Sequence, residues 1–392
     1  MNVKRTKNRP IAGPSAGSEP ALNEVKGQAL GLSLALAALL FLALGLTATS
    51  TGLAARPERV RADLQNCVPG PHNGTLVVSQ TWCLGDSPHV LNGDVTVNAG
   101  VVLTVEAEVT VQAYDNVEFK MLGRLEAVGT VTQPITFTSV TDSGAWQWSG
   151  LLFDGAAASG NLEQTTVRYT GDSNSLGLNA PALLVRNVTP GQVRIADSRV
   201  VDNRKGLWLI DSRATVSHTL FSGVADANQY PLEIQGAGSV VTLTANTFTA
   251  NPRNRVLLQP GAMMAADATL TPQTGLDGYE LANDFTVPAG RTLTVAPGVT
   301  VMADGGRELK MLGRLEAVGT PTQPITFTSV TDSGGQQWTG LVFDGGAGHL
   351  DYATVRYGGN GNSVGLEAAG LVARNVTAGE VRLEHTSLIT AC

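Results

Sequence analysis

Residues 120–144 read KMLGRLEAVGTVTQPITFTSVTDSG, and residues 310–334 read KMLGRLEAVGTPTQPITFTSVTDSG. Over these 25 positions the one difference is Val131 against Pro321. The flanks repeat more loosely. GDVTVNAG at 93–100 answers NDFTVPAG at 283–290, and WSGLLFDG at 148–155 answers WTGLVFDG at 338–345. The offset is 190 residues up to that point and 188 at TVRY (166–169 and 354–357) and RNVT (186–189 and 374–377), so the second copy lacks two residues opposite 156–165. A unit this long is not one solenoid rung. It is a block of several rungs duplicated together.

Within the block, apolar residues and threonines alternate. Leu103 and Val105 flank Thr104, Val109 and Val111 flank Thr110, and Ile135 and Phe137 alternate with Thr136 and Thr138. A period of two is that of a strand, with Ile135, Phe137, Ile325 and Phe327 turned inward and Thr136, Thr138, Thr326 and Thr328 outward. The runs are short and end at Gly, Asn, Asp or Pro, as in NAG, LGR, VGT, TQP, DSG and FDG. Hairpin signals are few: Asn73-Gly74 and Asn92-Gly93 are the candidates of note. Short strands without hairpins describe a coil that keeps turning one way, a parallel β-helix. Composition agrees. Forty-five glycines, 5% aromatic and 15% charged residues suit many strands and tight turns rather than a disordered chain. A chain of 392 residues would ordinarily hold two or three domains, but a solenoid grows by rungs.

VLTVEAEVTVQA (102–113) and TLTVAPGVTVMA (292–303) are each followed by GRLEAVGT, TQPITFTS and W-(S/T)-G-L-x-F-D-G. These blocks resemble those of bacterial right-handed parallel β-helix proteins, the pectin-lyase-like superfamily in its exported surface-protein branch. The resemblance covers about residues 88–392. It implies an all-β fold, a right-handed parallel β-helix, and says little about activity. Residues 190–280, with QVRIADSRVVDN and SVVTLTANTFTANPRN, continue without the long motif and read as further rungs; Asn187, Asn203, Asn246 and Asn251 either stack inside turns or adopt left-handed turn conformations.

Before the solenoid, residues 29–46 (ALGLSLALAALLFLALGL) carry no charge and follow a basic N-terminal stretch. Residues 1–55 are expected to be a signal peptide or an uncleaved N-terminal anchor helix, and either one exports the body, to a secreted or cell-surface location. Residues 56–87 form a cap or linker, in which Cys67 and Cys83, sixteen residues apart, are expected to form a disulfide. Residues 88–392 are the β-helix, with the duplication at about 88–200 and 278–392. By the offset of 188, Cys392 stands opposite Arg204 in mid-rung, which leads to the expectation that the solenoid is truncated at its C-terminus. Net charge is −7, and from residue 56 onward 31 acidic residues stand against 21 basic ones. An acidic body argues against nucleic acid as partner. The membrane is expected as a partner only through the N-terminal segment, where that segment is uncleaved.

Candidate chemistry is sparse. There is no P-loop or H-E-x-x-H, and the five histidines (His72, His89, His218, His349, His385) do not recur between copies. Glu106 and Glu108 would lie on one strand face about 7 Å apart if extended, the spacing of a glycosidase pair, but Ala296-Pro297-Gly298 replaces them in the second copy and suggests a turn. Asp142 and Asp154 recur as Asp332 and Asp344 in turn contexts; turn capping is the plainer reading and calcium the alternative. Lys120, Arg124 and Glu126 recur as Lys310, Arg314 and Glu316 and read as solubilising charges. Trp148 recurs as Trp338, and Trp146 is present in the first copy alone. These three are the candidate ligand-binding residues, for stacking on a sugar ring; packing of the wall is the rival role. No catalytic residue, metal ligand or cofactor is assigned. The expectation is a non-enzymatic exported scaffold for adhesion or contact with polysaccharide or a cell-surface glycan, and the alternative is a polysaccharide lyase or glycoside hydrolase on the same scaffold.

Overall fold

The period-two stretches do become strands, and every ladder between them is parallel. The computed structural model describes residues 67–188, 192–366, 369–378 and 380–389. The expected signal or anchor segment lies outside the described residues. Among those described, no helix is long and apolar enough to cross a membrane. The chain is a repeat parallel β-helix, and each rung contributes strands to three walls.

In the first block, the first wall is a seven-stranded sheet running from Gln80–Trp82 through Arg124–Val128 to Val240–Thr244. The second wall stacks Thr110–Ala113, Ile135–Ser139 and Thr165–Arg168, and continues to Thr247–Thr249. The third stacks Phe119–Met121, Leu151–Asp154 and Leu183–Arg186, and continues to Arg255–Leu258. The long strand His89–Val97 bends across two walls, pairing through His89–Leu91 with the second and through Val95–Val97 with the third.

The second block does not continue the first in phase. Gly278–Leu281 is the copy of residues 88–91, a second-wall segment, yet it pairs with the third-wall strand Arg255–Leu258 on one side. On its other side it pairs with Thr300–Ala303. The third wall of the first block thus runs on as the second wall of the second. The second block's own third-wall strands, from Phe285–Val287 to Leu371–Arg374, form a separate four-stranded sheet.

The lumen is filled by the inward residues. Ile135, Phe137, Ile325 and Phe327 are completely buried. Burying a Phe side chain contributes about 1.5–3 kcal/mol, and parallel in-register stacking repeats that gain rung by rung. Phe221 and Phe248, partners in adjacent strands, stack with centroids 5.1 Å apart. Gly160 and Gly348 occupy the same place in the two blocks because the edge of Phe153 or Phe343 fills the space a side chain would need. Thr136 and Thr326 face outward, half-buried. Thr138 and Thr328 also sit on the outer side of the pleat, but are covered: their hydroxyls donate to Asp142 and Asp332, which with Arg168 and Arg356 roof them over.

Turns are stapled by asparagine. The Asn203 Oδ1 accepts from Thr170 N–H while its Nδ2 donates to the Val167 carbonyl. Asn246 does the same with Thr219 and Val216, and Asn251 with Val224 and Phe221. One amide side chain thus replaces a peptide group and satisfies backbone groups of the rung below. Asn187 instead takes the left-handed conformation. The two Asn-Gly pairs are not hairpins. They lie in adjacent parallel strands, where Asn73 donates to Asn92 beside a register bulge.

At the N-terminal end, Cys67 and Cys83 form a disulfide with Cα atoms 5.5 Å apart. Beneath it His72 stacks on Trp82, and Trp82 on Phe119, with centroids 4.2 and 5.3 Å apart. The His89 Nε2 is 2.9 Å from the Cys83 carbonyl, which can only accept, so that nitrogen carries the proton. The His89 Nδ1 then accepts from the His72 Nε2–H at 2.9 Å. Burial, reinforced by His89, pushes His72 down to about 4, so it is neutral at pH 7.

Candidate functional site

Strand register gathers the charged residues onto the outer side of the third wall. Leu152 pairs with Lys120, and Asp154 with Arg186, so one carboxylate stands between two cations from neighbouring rungs. Arg186 grips Asp154 through both oxygens at 2.9 and 2.8 Å, and the Lys120 Nζ lies 3.5 Å away. Burial alone would raise the Asp154 carboxyl, but Arg186 and Lys120 together outweigh it and hold it below the usual range. The second block repeats the arrangement: Arg374 grips Asp344 at 2.9 and 2.8 Å, and Lys310 lies at 3.4 Å. Here the Arg374 hydrogen bonds are the leading cause that holds the carboxyl far below its ordinary value.

A second recurring acid anchors the loop that roofs this wall. Buried Glu118 accepts from the Ser175 backbone N–H at 2.9 Å and its hydroxyl at 2.8 Å. Glu308 likewise accepts from Ser363. Asp142 and Asp332 sit in left-handed turns and are gripped by Arg168 and Arg356. The oxygens a calcium ion would need at Asp142 and Asp154 are therefore the ones their arginines and neighbouring hydroxyls already hold.

Further along the same wall, in the unduplicated middle, lies a cluster of buried charge. The Lys205 Nζ contacts Glu233 at 2.6 Å and lies 3.9 Å from the centre of the Trp208 ring. Gln259 donates to the other Glu233 oxygen at 2.9 Å. Glu280, two rungs on, accepts from the Tyr230 hydroxyl at 2.7 Å and from Arg255 at 2.9 Å, with Arg253 at 4.0 Å. Burial, with the Glu280 charge behind it, pushes the Tyr230 hydroxyl up to about 12. Lys205, Glu233 and Glu280 are each no more than 5% exposed. Register sets Glu233 opposite Leu257 and Leu257 opposite Glu280, so the two carboxylates belong to strands about 9–10 Å apart.

The three tryptophans do not share a face. Trp148 and Trp338 are 1% exposed, and their indole N–H groups donate to the carbonyls of Arg168 and Arg356 at 2.9 and 2.8 Å. They plug the wall, so the expectation that they stack on a sugar is corrected: no ring in solvent can reach them. Trp146 is 47% exposed, in a left-handed turn, with the Arg204 guanidinium 5.9 Å from its ring centre. Glu106 and Glu108 do not share a strand face. Glu106 follows the strand Val102–Val105 and Glu108 lies in the turn after it, left-handed as Gly298 is in the second copy. Glu106 accepts from Leu84 N–H and Glu108 from Gln133.

Sequence reasoning passed over Lys205, Trp208, Tyr230, Glu233 and Glu280 because none recurs between the blocks. No family model matches the chain, nor does any curated protein or solved structure.

Proposed function

We propose that this chain is an exported, non-enzymatic right-handed β-helix of the pectin-lyase-like superfamily, serving as a rigid surface or secreted scaffold for adhesion or contact with a glycan. The observation that carries this reading is the double use of the recurring acids as fasteners: Asp154 and Asp344 are each clamped by a lysine and a two-pronged arginine from neighbouring rungs. A general acid needs a raised pKa and a free proton site, and arginine imposes the reverse. Right-handedness rests on the resemblance and on the strong general preference of parallel crossovers. Export rests on the uncharged stretch 29–46 behind basic residues. Trp146 supplies the exposed ring on which a sugar can stack, with the polar Arg204 beside it.

One observation favours an alternative from another class. Lys205, Glu233, Tyr230, Arg253, Arg255 and Glu280 converge on one wall, which is the side-chain set a polysaccharide lyase or glycoside hydrolase draws on. A screen of the chain against a glycan array and a panel of polysaccharides separates the two. Glycan binding without depolymerisation, lost in Trp146→Ala, supports the scaffold. Depolymerisation abolished by Glu233→Gln or Glu280→Gln overturns it.

A further inference from the structure

The outer face of the first wall differs between the two blocks. The first block carries Glu126, Asn161, Glu163, Arg194, Ala196 and Asp197. Their counterparts are Glu316, His349, Asp351, Arg382, Glu384 and His385. In the first block Arg194 ties the face together, donating to Asn161 at 3.1 Å and to Glu163 at 2.6 Å. In the second block Arg382 turns instead to Glu384 in its own strand. Histidine and carboxylate groups are left facing one another.

Register explains the convergence. His349 pairs with Glu316 on one side and Arg382 on the other, and Asp351 pairs with Glu384. Residues two apart in a strand share a face, so His349 and Asp351 stand side by side with Glu384 across the ladder. One ligand atom from each of these three residues lies within 4.8 Å of the other two. The imidazole is held in a definite sense. The His349 Nδ1 faces the Glu316 carboxylate at 3.7 Å, and its Nε2 faces the Glu384 Oε2 at 3.7 Å. That Nε2 is buried and has no hydrogen-bond partner among the described residues. A buried ring nitrogen without a partner is costly. Here it faces the Glu384 carboxylate, with that of Asp351 beside it in the cluster. Asp351 is steadied from behind by His385, whose Nδ1 lies 2.9 Å from its Oδ1, and His385 is itself stacked on Tyr352.

We propose that His349, Asp351 and Glu384 form a binding site for a divalent transition-metal cation of the zinc class. His349 Nε2 and one oxygen from each carboxylate would be the ligands, with Glu316 orienting the imidazole through Nδ1 and His385 orienting Asp351. A carboxylate behind a ligating histidine is the usual outer-shell arrangement, fixing the tautomer that leaves the ligand nitrogen bare. One nitrogen with two oxygens suits zinc, whereas calcium takes six to eight oxygens. A cation there would join the strands Ala347–Asp351 and Val381–Glu384, doing for the second block what Arg194 does for the first.

The test is a Zn²⁺ titration of the full chain, purified without a histidine tag, against a competing chromogenic chelator, with Ca²⁺ run in parallel. The expected result is a tight zinc equivalent that Ca²⁺ does not displace. His349→Asn recreates the residue of the first block, so it preserves the fold; it and Glu384→Ala should each remove that equivalent. Glu316→Gln should weaken it about 10–100-fold, as loss of an outer-shell partner does. Glu163→Gln, in the first block, should leave it unchanged. Absence of a zinc equivalent, its persistence in both His349→Asn and Glu384→Ala, or its displacement by Ca²⁺ overturns the proposal.

Discussion

Gly160 offers a direct test of how the lumen is packed. Its backbone lies in an ordinary strand between Leu125 and Val193, so an alanine there meets no conformational penalty in φ. The obstacle is Phe153. A Cβ at 160 would sit 2.5 Å from Phe153 Cε1 and 2.8 Å from Cζ, well inside ordinary carbon contact of about 3.5–4.0 Å. Phe153 is completely buried, with rungs above and below, so its ring cannot swing clear without displacing other core residues. Gly160→Ala should therefore destabilise by about 1–3 kcal/mol, the usual cost of forcing extra volume into a packed core. Phe153→Leu should also destabilise alone, but in the double variant the alanine methyl occupies space the ring has left. The two changes should thus couple favourably by about 0.5–3 kcal/mol. Urea unfolding followed by circular dichroism measures each corner of the cycle. Gly348→Ala with Phe343→Leu repeats it in the second block, where a Cβ at 348 would lie 2.3 Å from Phe343 Cε1. Costs below about 0.5 kcal/mol for both glycine variants, or strict additivity in both cycles, would refute this account of the packing.

Lys205→Met should destabilise by about 3–5 kcal/mol, because it strands the buried Glu233 carboxylate with Gln259 alone. Adding Glu233→Leu should recover most of the loss, and a denaturation series in which the double variant is the weaker of the two would refute this. The pH dependence follows from His72. Its folded value of about 4 lies below the ordinary 6.5, so between these pH values the unfolded chain holds a proton the folded chain does not. Its contribution is complete above pH 6.5 and declines as pH falls toward 4, and urea midpoints compared across that range should fall less steeply for His72→Gln; equal slopes would defeat the assignment.

The strands were legible because KMLGRLEAVG and TQPITFTSV state their pleat twice and end at turn residues. Facing was less legible. Trp146 and Trp148 are two apart and so predict a common face, but the left-handed residue at 146 breaks the alternation and sends one ring out and the other in. Thr138 obeys the alternation and is still buried, because Asp142 and Arg168 close over it, which a local pattern cannot report. The charged clusters were hidden by uneven rung length. Gly160 pairs with Val193, 33 residues on; Val193 pairs with Ala214, 21 on; Arg213 pairs with Val240, 27 on. Without a fixed increment, nothing in the sequence says that Lys205 will meet Glu233, or that Glu384 will meet His349.

The slip by which one block's third wall becomes the next block's second also decides how far a row of fasteners can run. The second block's third-wall strands form a ladder of their own, from Phe285–Val287 to Leu371–Arg374, while the first wall stays in step across the junction, with Ala265 N–H donating to the Ala237 carbonyl and the Thr271 hydroxyl to the Leu243 carbonyl. The Lys120–Asp154–Arg186 clamp and its Lys310–Asp344–Arg374 twin therefore belong to different sheets. Neither row of clamps can run on into the other, so each block is laced rung to rung as a separate length.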